Sequence, residues 1–460
     1  MSDRRSQAIQ YAHQNRDRFL DHLKQLVSIP SVSTNPQNEQ DMRKAAGWIA
    51  DYLSQIGIQQ VQIMPTGGHP AVYGEWLNAG QDAPVVLIYG HYDVQPSQPD
   101  ELWKTPPFTP TVIGDNIYGR GASDMKGQII ATLSAIESIT RQGPLPVNVK
   151  FIIEGEEEIG SPHLTPFIND HQDLLASTVA LNPDAGMIAA DTPTIVYGLR
   201  GLAYFELRVY GPEHDLHSGL YGGVVYNPAQ ALCELIAGMH DDQGRVTLPG
   251  FYDHVLQLSE EERRELARLP MDEKYYRDQT GVPCLWGESG YTPNERVGGR
   301  PTLEVNGLYS GYTGKGSKTV LPAYAMAKIS MRLVPDQDPA EVQQALQNYL
   351  AAKAPQCVRW ELETMQGGPA SMTDPHIPEA EALAKALETV WGTRPVYKRE
   401  GGSIPVVADM QNILGIKSVL TGFGLPDDNL HAPNEKLHLT TWYKGIDALI
   451  NFFYNLEVEH

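Results

Sequence analysis

A chain of 460 residues with 41% hydrophobic side chains, 42 Gly and 34 Pro is long enough for more than one core, since single cores seldom grow past about 250–300 residues. Its 56 acidic against 35 basic residues leave a formal net charge of −21 with no long basic run, which argues against nucleic acid and anionic membrane surfaces as partners. Cys233, Cys284 and Cys357 stand far apart without a Cys-X-X-Cys, so no disulfide framework is expected and a reducing, cytoplasmic setting is.

The N-terminal segment carries Ile9, Phe19, Leu20, Leu23, Leu26 and Val27 among many charges, the pattern of an amphipathic helix rather than of a signal peptide or membrane span. Residues 28–35 read as a Pro- and Ser-rich loop and 41–56 as a second helix. The run Val85-Val86-Leu87-Ile88-Tyr89 is short for a helix and predicts a strand buried on both faces. Gly90-His91-Tyr92-Asp93 follows directly. His91 and Asp93 therefore fall just past a strand's carboxyl end, the rim where open α/β sheets bind ligands. Asp124 comes next, with Ser123 as the predicted N-cap of a helix whose apolar face is Ile129, Ile130, Leu133, Ile136 and Ile139.

Residues 145–153 alternate at Val147, Val149, Phe151 and Ile153, a strand pattern, and Glu154-Gly155-Glu156-Glu157-Glu158 follows at its end. Carboxylates packed this tightly repel one another unless a cation sits among them. Thr178-Val179-Ala180-Leu181 ends in Asn182-Pro183-Asp184, and another apolar run over 416–420 leads through a Gly-rich loop to His431. Singly, these residues have ordinary explanations: a hydrogen-bonded loop pair for His91 and Asp93, a solvent-facing loop for the glutamates. Together His91, Asp124, Glu158, Asp184 and His431 each lie past a strand end or at a helix start, where they can share one rim and hold metal.

Between 198 and 372 the texture changes. Strand patterns cover 203–210 and 325–334, and a helix opens with Asp338 as cap, Pro339 in the first turn and Glu341 at the capping-box position. Its apolar face is Val342, Leu346, Tyr349 and Leu350. The expected organisation is an α/β domain over 1–197 and 373–460, interrupted by an inserted α+β domain over 198–372. Residues 376–391, ended by Gly392, resume the first domain as a helix. The stretch 251–300 is polar and irregular apart from a charged helix near 259–269, and no chemistry is assigned to it.

Several motifs, in order along nearly the whole chain, carry a family resemblance: Gly90-His91-Tyr92-Asp93-Val94-Gln95-Pro96, Gly119-Arg120-Gly121-Ala122-Ser123-Asp124-Met125-Lys126-Gly127, Glu154-Gly155-Glu156-Glu157-Glu158-Ile159-Gly160-Ser161 and Asp215-Leu216-His217-Ser218-Gly219. The chain resembles the M20 metallopeptidases. Gly314-Lys315-Gly316-Ser317-Lys318-Thr319-Val320 and Gly401-Gly402-Ser403-Ile404-Pro405 make it most similar to their cytosolic nonspecific dipeptidase and carnosinase branch.

The resemblance implies a zinc-peptidase catalytic domain, a central mixed sheet flanked by helices, with an inserted lid domain that also forms a homodimer. It implies two divalent ions per subunit, zinc with manganese or cobalt as alternatives. Asp124 bridges them; His91 and Asp184 complete one site, Glu158 and His431 the other. Three carboxylates against two divalent ions leave a formal +1, which a bridging hydroxide would cancel. Asp93 then orients His91, Glu157 is the general base, and His217 reaches the neighbouring subunit's site to donate to the oxyanion. Arg332 takes the substrate's terminal carboxylate. Read from the residues, Ser403 and Gly402 either line the same pocket through backbone N–H groups or the glycine serves a tight turn, and His376 is either a lid-side contact or a residue near a helix start. The implied activity is metal-dependent hydrolysis of dipeptides or short peptides with a free C-terminus. Deacylation of N-acyl amino acids, of the acetylornithine or succinyl-diaminopimelate type, is the alternative.

Overall fold

The computed structural model describes residues 2–402 and 404–457. They divide into two compact units, the first Met1–Tyr197, Thr373–Lys398 and Ile404–His460, the second Gly198–Met372 with Arg399–Ser403.

The first unit is built on a mixed sheet. Its strands run in the order Gln59–Met64, Ala71–Trp76, Asn148–Glu154, Val85–His91, Val179–Asn182, Lys417–Leu420 and Thr194–Leu199. The middle four are mutually parallel, with His91 level with Glu154 and Leu420 level with Asn182. The flanking strands are antiparallel. Parallel strands covered on both faces carry apolar side chains on both, and Val86 to His91 are buried without a break. The alternation over 145–153 does not mark a half-exposed strand as a period of two would: Asn148–Glu154 is buried at every position. Lys150 is accommodated because its Nζ donates to the carbonyls of Leu174 and Ala176, at 2.7 and 2.8 Å.

Helix Lys126–Thr140 is buried along its length, its polar residues included. The predicted stripe of Ile129, Ile130, Leu133, Ile136 and Ile139 is inside, but so is Glu137, which accepts from Arg18 Nη2 at 2.9 Å and Tyr52 Oη at 2.9 Å. Ser123 is not its N-cap: the helix starts at Lys126 without a side-chain cap, and Ser123 Oγ donates to Asp428 instead. Helix Leu439–Asn455 packs alongside, and the fully buried Trp442 donates from Nε1 to the Gly127 carbonyl at 2.7 Å. Gly127 is needed there because a Cβ would stand 2.1 Å from the Ala122 carbonyl oxygen. The predicted helices near 41–56 and 376–391 are present as Glu39–Gln55 and Pro378–Trp391, the latter closed by Gly392 at φ 71°.

The second unit is α+β. Its antiparallel sheet has the order Thr302–Ser310, Tyr324–Leu333, Gly201–Tyr210, Arg359–Gly368. Along Tyr324–Leu333 burial alternates strictly. One face packs through Phe205, Leu207, Ile329 and Met331 against Leu235 of helix Pro228–Ala237 and Leu346 of helix Pro339–Lys353. Asp338 does cap that second helix, but its carboxylate accepts from Ala340 N, and Glu341 closes no capping box. The stretch 251–300 is more ordered than its composition implies. It forms helices Glu260–Leu266, Glu273–Thr280 and Pro293–Gly299, two of them started by capping boxes, Ser259 with Glu262 and Thr292 with Glu295. Helices of seven or eight residues are too short to display a periodic apolar face.

Gly127→Ala should cost about 1–3 kcal/mol, the range for overpacking a rigid site. Urea denaturation of the variant beside the parent protein measures it.

Candidate metal centre

The carboxyl ends of the four parallel strands form one rim, and the first unit brings the predicted ligands together there. His91 closes its own strand, Glu158 and Asp184 follow the next strands, and His431 lies on the segment after Lys417–Leu420. Asp124 comes from the loop before helix Lys126–Thr140. The five make two groups with ligand atoms mutually within 4.8 Å: His91, Asp124 and Asp184, then Asp124, Glu158 and His431.

Asp124 belongs to both groups because its two oxygens face different ways. Oδ1 is 3.2 Å from His91 Nε2, and Oδ2 is 3.0 Å from His431 Nε2. His91 Nε2 also lies 3.8 Å from Asp184 Oδ2 and 3.9 Å from Glu157 Oε2, while His431 Nε2 is 3.2 Å from Glu158 Oε2. His431 adopts φ 58°, a left-handed conformation uncommon outside glycine.

His91 provides the test of whether these residues suit a metal. The side chain is fully buried; its Nδ1 is 3.1 Å from the Asp93 carbonyl oxygen, yet its Nε2 has no hydrogen-bond partner among the described residues. With the Nδ1 proton given to that carbonyl, Nε2 presents a lone pair to the space between Asp124 and Asp184. An orphaned buried nitrogen facing carboxylates is costly by itself and is satisfied by a cation.

Charge tells the same story. Burial, opposed by the His91 charge and reinforced by Asp184, Asp124 and Glu158, pushes the Glu157 carboxyl up to about 9. Burial would depress His91, but the neighbouring Asp124, Asp184 and Asp93 carboxylates raise it well above its ordinary value. The Asp124 and Glu158 carboxylates bring His431 up to about 10. These shifts follow from carboxylates crowding two imidazoles, and a cation bound among them would displace the imidazole protons.

Asp93 stands beside the His91 imidazole and has a second task. Its buried carboxylate sits 3.4 Å from His91 Nδ1 but accepts the backbone N–H groups of Glu157 at 3.2 Å and Glu158 at 3.1 Å, so it holds the acidic turn in place. Three further residues escaped the sequence reading. Gln95 donates from Nε2 to Glu158 Oε2 at 2.9 Å, and Asn182 Oδ1 accepts the Asp184 N–H at 2.9 Å. Glu435, fully buried, accepts from Gly121 N, Ser123 N and Asp124 N at 2.9–3.1 Å and from Arg120 Nη1 at 2.8 Å. Nothing in the run Asn434-Glu435-Lys436 distinguishes this carboxylate from a surface one.

Of the other predicted residues, His217, Arg332 and Gly402 belong to the second unit and His376 to the first. His217, exposed in the second unit, accepts the Gly219 N–H on Nδ1 at 3.0 Å. Arg332 sits in the second unit on the exposed side of strand Tyr324–Leu333, and Gly402 is exposed in the same unit. His376 is an exposed residue of the first unit whose N–H donates to Asp374 Oδ1. Ser403 lies outside the described residues.

The sequence pattern described as Peptidase family M20/M25/M40 matches residues 87–455. The chain is similar to the Cys-Gly metallodipeptidase DUG1 of Candida albicans, at 30% identity over 94% of this chain and 93% of that one. It is equally similar to the human Beta-Ala-His dipeptidase, 30% identical over 98% of this chain and 92% of the relative. Among solved structures, the M20 family metallo-carboxypeptidase Sso-CP2 from Sulfolobus solfataricus superposes with a TM-score of 0.84 at 34% identity, covering 95% and 99% of the two chains.

Because Asp124 is common to both groups, Asp124→Ala should weaken metal retention at two positions and His91→Ala mainly at one. Metal analysis after dialysis distinguishes the two variants, and equal stoichiometry would remove Asp124 from its shared position.

Proposed function

The chain belongs to peptidase family M20/M25/M40, and from that premise we propose that it hydrolyses dipeptides and short peptides with a free C-terminus. The observation that carries this reading is the pair of ligand groups sharing Asp124, with Glu157 beside His91 Nε2. The dipeptidase names of its full-length relatives support the substrate class, and none of those cited is a deacylase by name.

His91, Asp124 and Asp184 would hold one divalent ion and Asp124, Glu158 and His431 the other. Zinc suits this mixture of imidazole and carboxylate donors, and manganese or cobalt could take its place. When bound, such ions polarise the scissile carbonyl and lower the pKa of water. Glu157 takes a proton from the attacking water on Oε and returns it to the leaving amine. Asp93 fixes the position of Glu157 through the backbone bond described above. Arg332 receives the terminal carboxylate on its guanidinium fork, with Gly402 and Ser403 next to it and His376 as a further contact.

The inserted domain serves as lid and dimerisation surface in this reading, and His217 of each subunit donates to the oxyanion in its partner's site. The short bond from Gly219 engages only Nδ1 of His217, so Nε2 is the nitrogen assigned to the substrate. The enzyme works in the cytoplasm, a placement supported by three exposed cysteines without disulfides. Among the described residues no helix is long and apolar enough to cross a membrane.

A panel of dipeptides assayed against N-acetyl and N-succinyl amino acids tests the substrate class; faster turnover of the acylated compounds would overturn it. Glu157→Gln should keep both metals and lose on the order of 10²–10⁴-fold in turnover. Metal loss to match a Glu158 variant would mean that the two glutamates exchange roles.

The dimer reading makes a separate prediction. His217→Ala and Glu157→Gln chains should each be nearly inactive, while mixed dimers regain one complete site of two. Equal mixing yields half mixed dimers, so about a quarter of parental activity should return. No recovery after subunit exchange verified by mass would confine His217 to its own chain.

A further inference from the structure

The acidic turn that carries Glu157 ends in a backbone reversal of its own. Gly160 adopts φ 87° and Ser161 φ 51°. The Glu156 carbonyl accepts both Ile159 N at 3.1 Å and Ser161 N at 2.8 Å, and the Glu157 carbonyl accepts Gly160 N at 2.8 Å. Left-handed backbone is free to glycine and costly to a residue with a Cβ, so a serine that stays there is held by something. Its buried Oγ donates to Glu154 Oε1 at 2.8 Å.

Glu154 is itself buried and stands at a fixed point of the sheet. It closes strand Asn148–Glu154, level with His91 on the parallel neighbour. Its Oε1 accepts a second bond from Tyr89 Oη at 2.8 Å, and Tyr89 lies two residues before His91 in strand Val85–His91. One carboxylate oxygen therefore ties the far end of the turn to its own strand and to the strand of His91, while Asp93 ties the near end. The two glutamates between these ties are held differently. Glu158 is gripped at its side chain, where Gln95 donates from N to Oε1 at 3.2 Å and from Nε2 to Oε2 at 2.9 Å. Glu157 Oε2 stands 3.9 Å from His91 Nε2, beyond hydrogen-bond reach, so its carboxylate follows the backbone of the turn.

We propose that Ser161 and Glu154 are positioning residues for Glu157: the Oγ bond to Glu154 fixes the end of the turn, and with it the place of the Glu157 carboxylate beside His91. Both act through Glu157. The inference rests on the reading of Glu157 as general base and adds to it what holds the base in place. A base displaced by about 1 Å loses rate, so the effect falls on kcat and leaves the ligand Glu158, with its own grip from Gln95, where it was.

Kinetics of the full-length, metal-loaded protein on alanyl-alanine test this. Ser161→Ala should lower kcat on the order of 10–10²-fold, with KM and metal content those of the parent. Ser161→Gly takes the left-handed conformation without strain and should lose as much, because the hydroxyl is what counts. In a Glu157→Gln background Ser161→Ala should cost nothing further, since residues that act through one group are not additive. Glu154→Ala should match Ser161→Ala, and the two together should cost no more than either; the serine variants carry the test if Glu154→Ala does not fold. The proposal is overturned by parental kcat in Ser161→Gly, by an undiminished Ser161→Ala loss in the Glu157→Gln background, by additive losses of Ser161→Ala and Glu154→Ala, or by a loss carried in KM or metal content. Where Glu157→Gln loses turnover and both serine variants keep it, the base reading stands and this inference alone falls. Where Glu157→Gln keeps parental turnover, the base reading falls and takes the inference with it.

Discussion

Four carboxylates, Asp124, Glu157, Glu158 and Asp184, converge on two imidazoles at one rim, and their mutual repulsion is the constraint that the surrounding structure answers. Taking a charge out of water costs several kcal/mol after relaxation. Around these groups every supporting bond is directed at the backbone or the outer edge of a ligand. Glu435 gathers three N–H groups of the loop carrying Asp124, Asp93 gathers those of Glu157 and Glu158, and Gln95 grips Glu158 from outside. These bonds fix positions without cancelling charge, since Asp93 and Glu435 add carboxylates of their own. What they leave is a concentration of negative charge with an unsatisfied nitrogen at its centre, the arrangement a pair of cations completes.

Position at the rim is inherited from the sheet. Four parallel strands end on the same edge, so short loops suffice to bring Glu158 and Asp184 beside His91. Asp124 needs a different support, because it arrives on a loop before a helix. That helix is buried on all sides, and its first turn is held by the Trp442 bond to Gly127 and by Lys126 Nζ, which donates to the carbonyls of Leu26 and Ile29. The segments nearest both ends of the chain thus brace the residue shared by the two ligand groups.

The second unit solves another problem with another device. Its sheet covers one face with two helices, and the other face keeps polar and charged residues such as Ser330, Arg332 and Glu304. The short helices and pinned loops of 251–300 stand at that face and turn part of it into a cavity. Polar composition in this stretch therefore reflects a lining rather than a linker.

Much of this was legible in the residues. The apolar run before His91, the strand before the glutamates and the run before Asp184 each placed a ligand at a strand end, because side chains buried on both faces leave an unmistakable local pattern. The motif resemblance added the grouping of ligands through Asp124, which the structure brings together. The errors share a cause. Ser123 looked like a cap and Glu341 like the partner in a capping box because local pattern stood in for the whole environment, whereas Asp428 claimed the serine and Asp338 alone capped its helix. Glu435, Gln95 and Asn182 could not be found at all, since a buried acceptor or donor is defined by its partners, and Glu435 meets its partners more than 300 residues earlier in the chain. Sequence determined which side chains could do chemistry and at which ends of which strands they would stand. Only the tertiary structure decided which of them meet, because hydrogen bonds and charge repulsion act over a few ångströms of space and leave no periodicity in the chain.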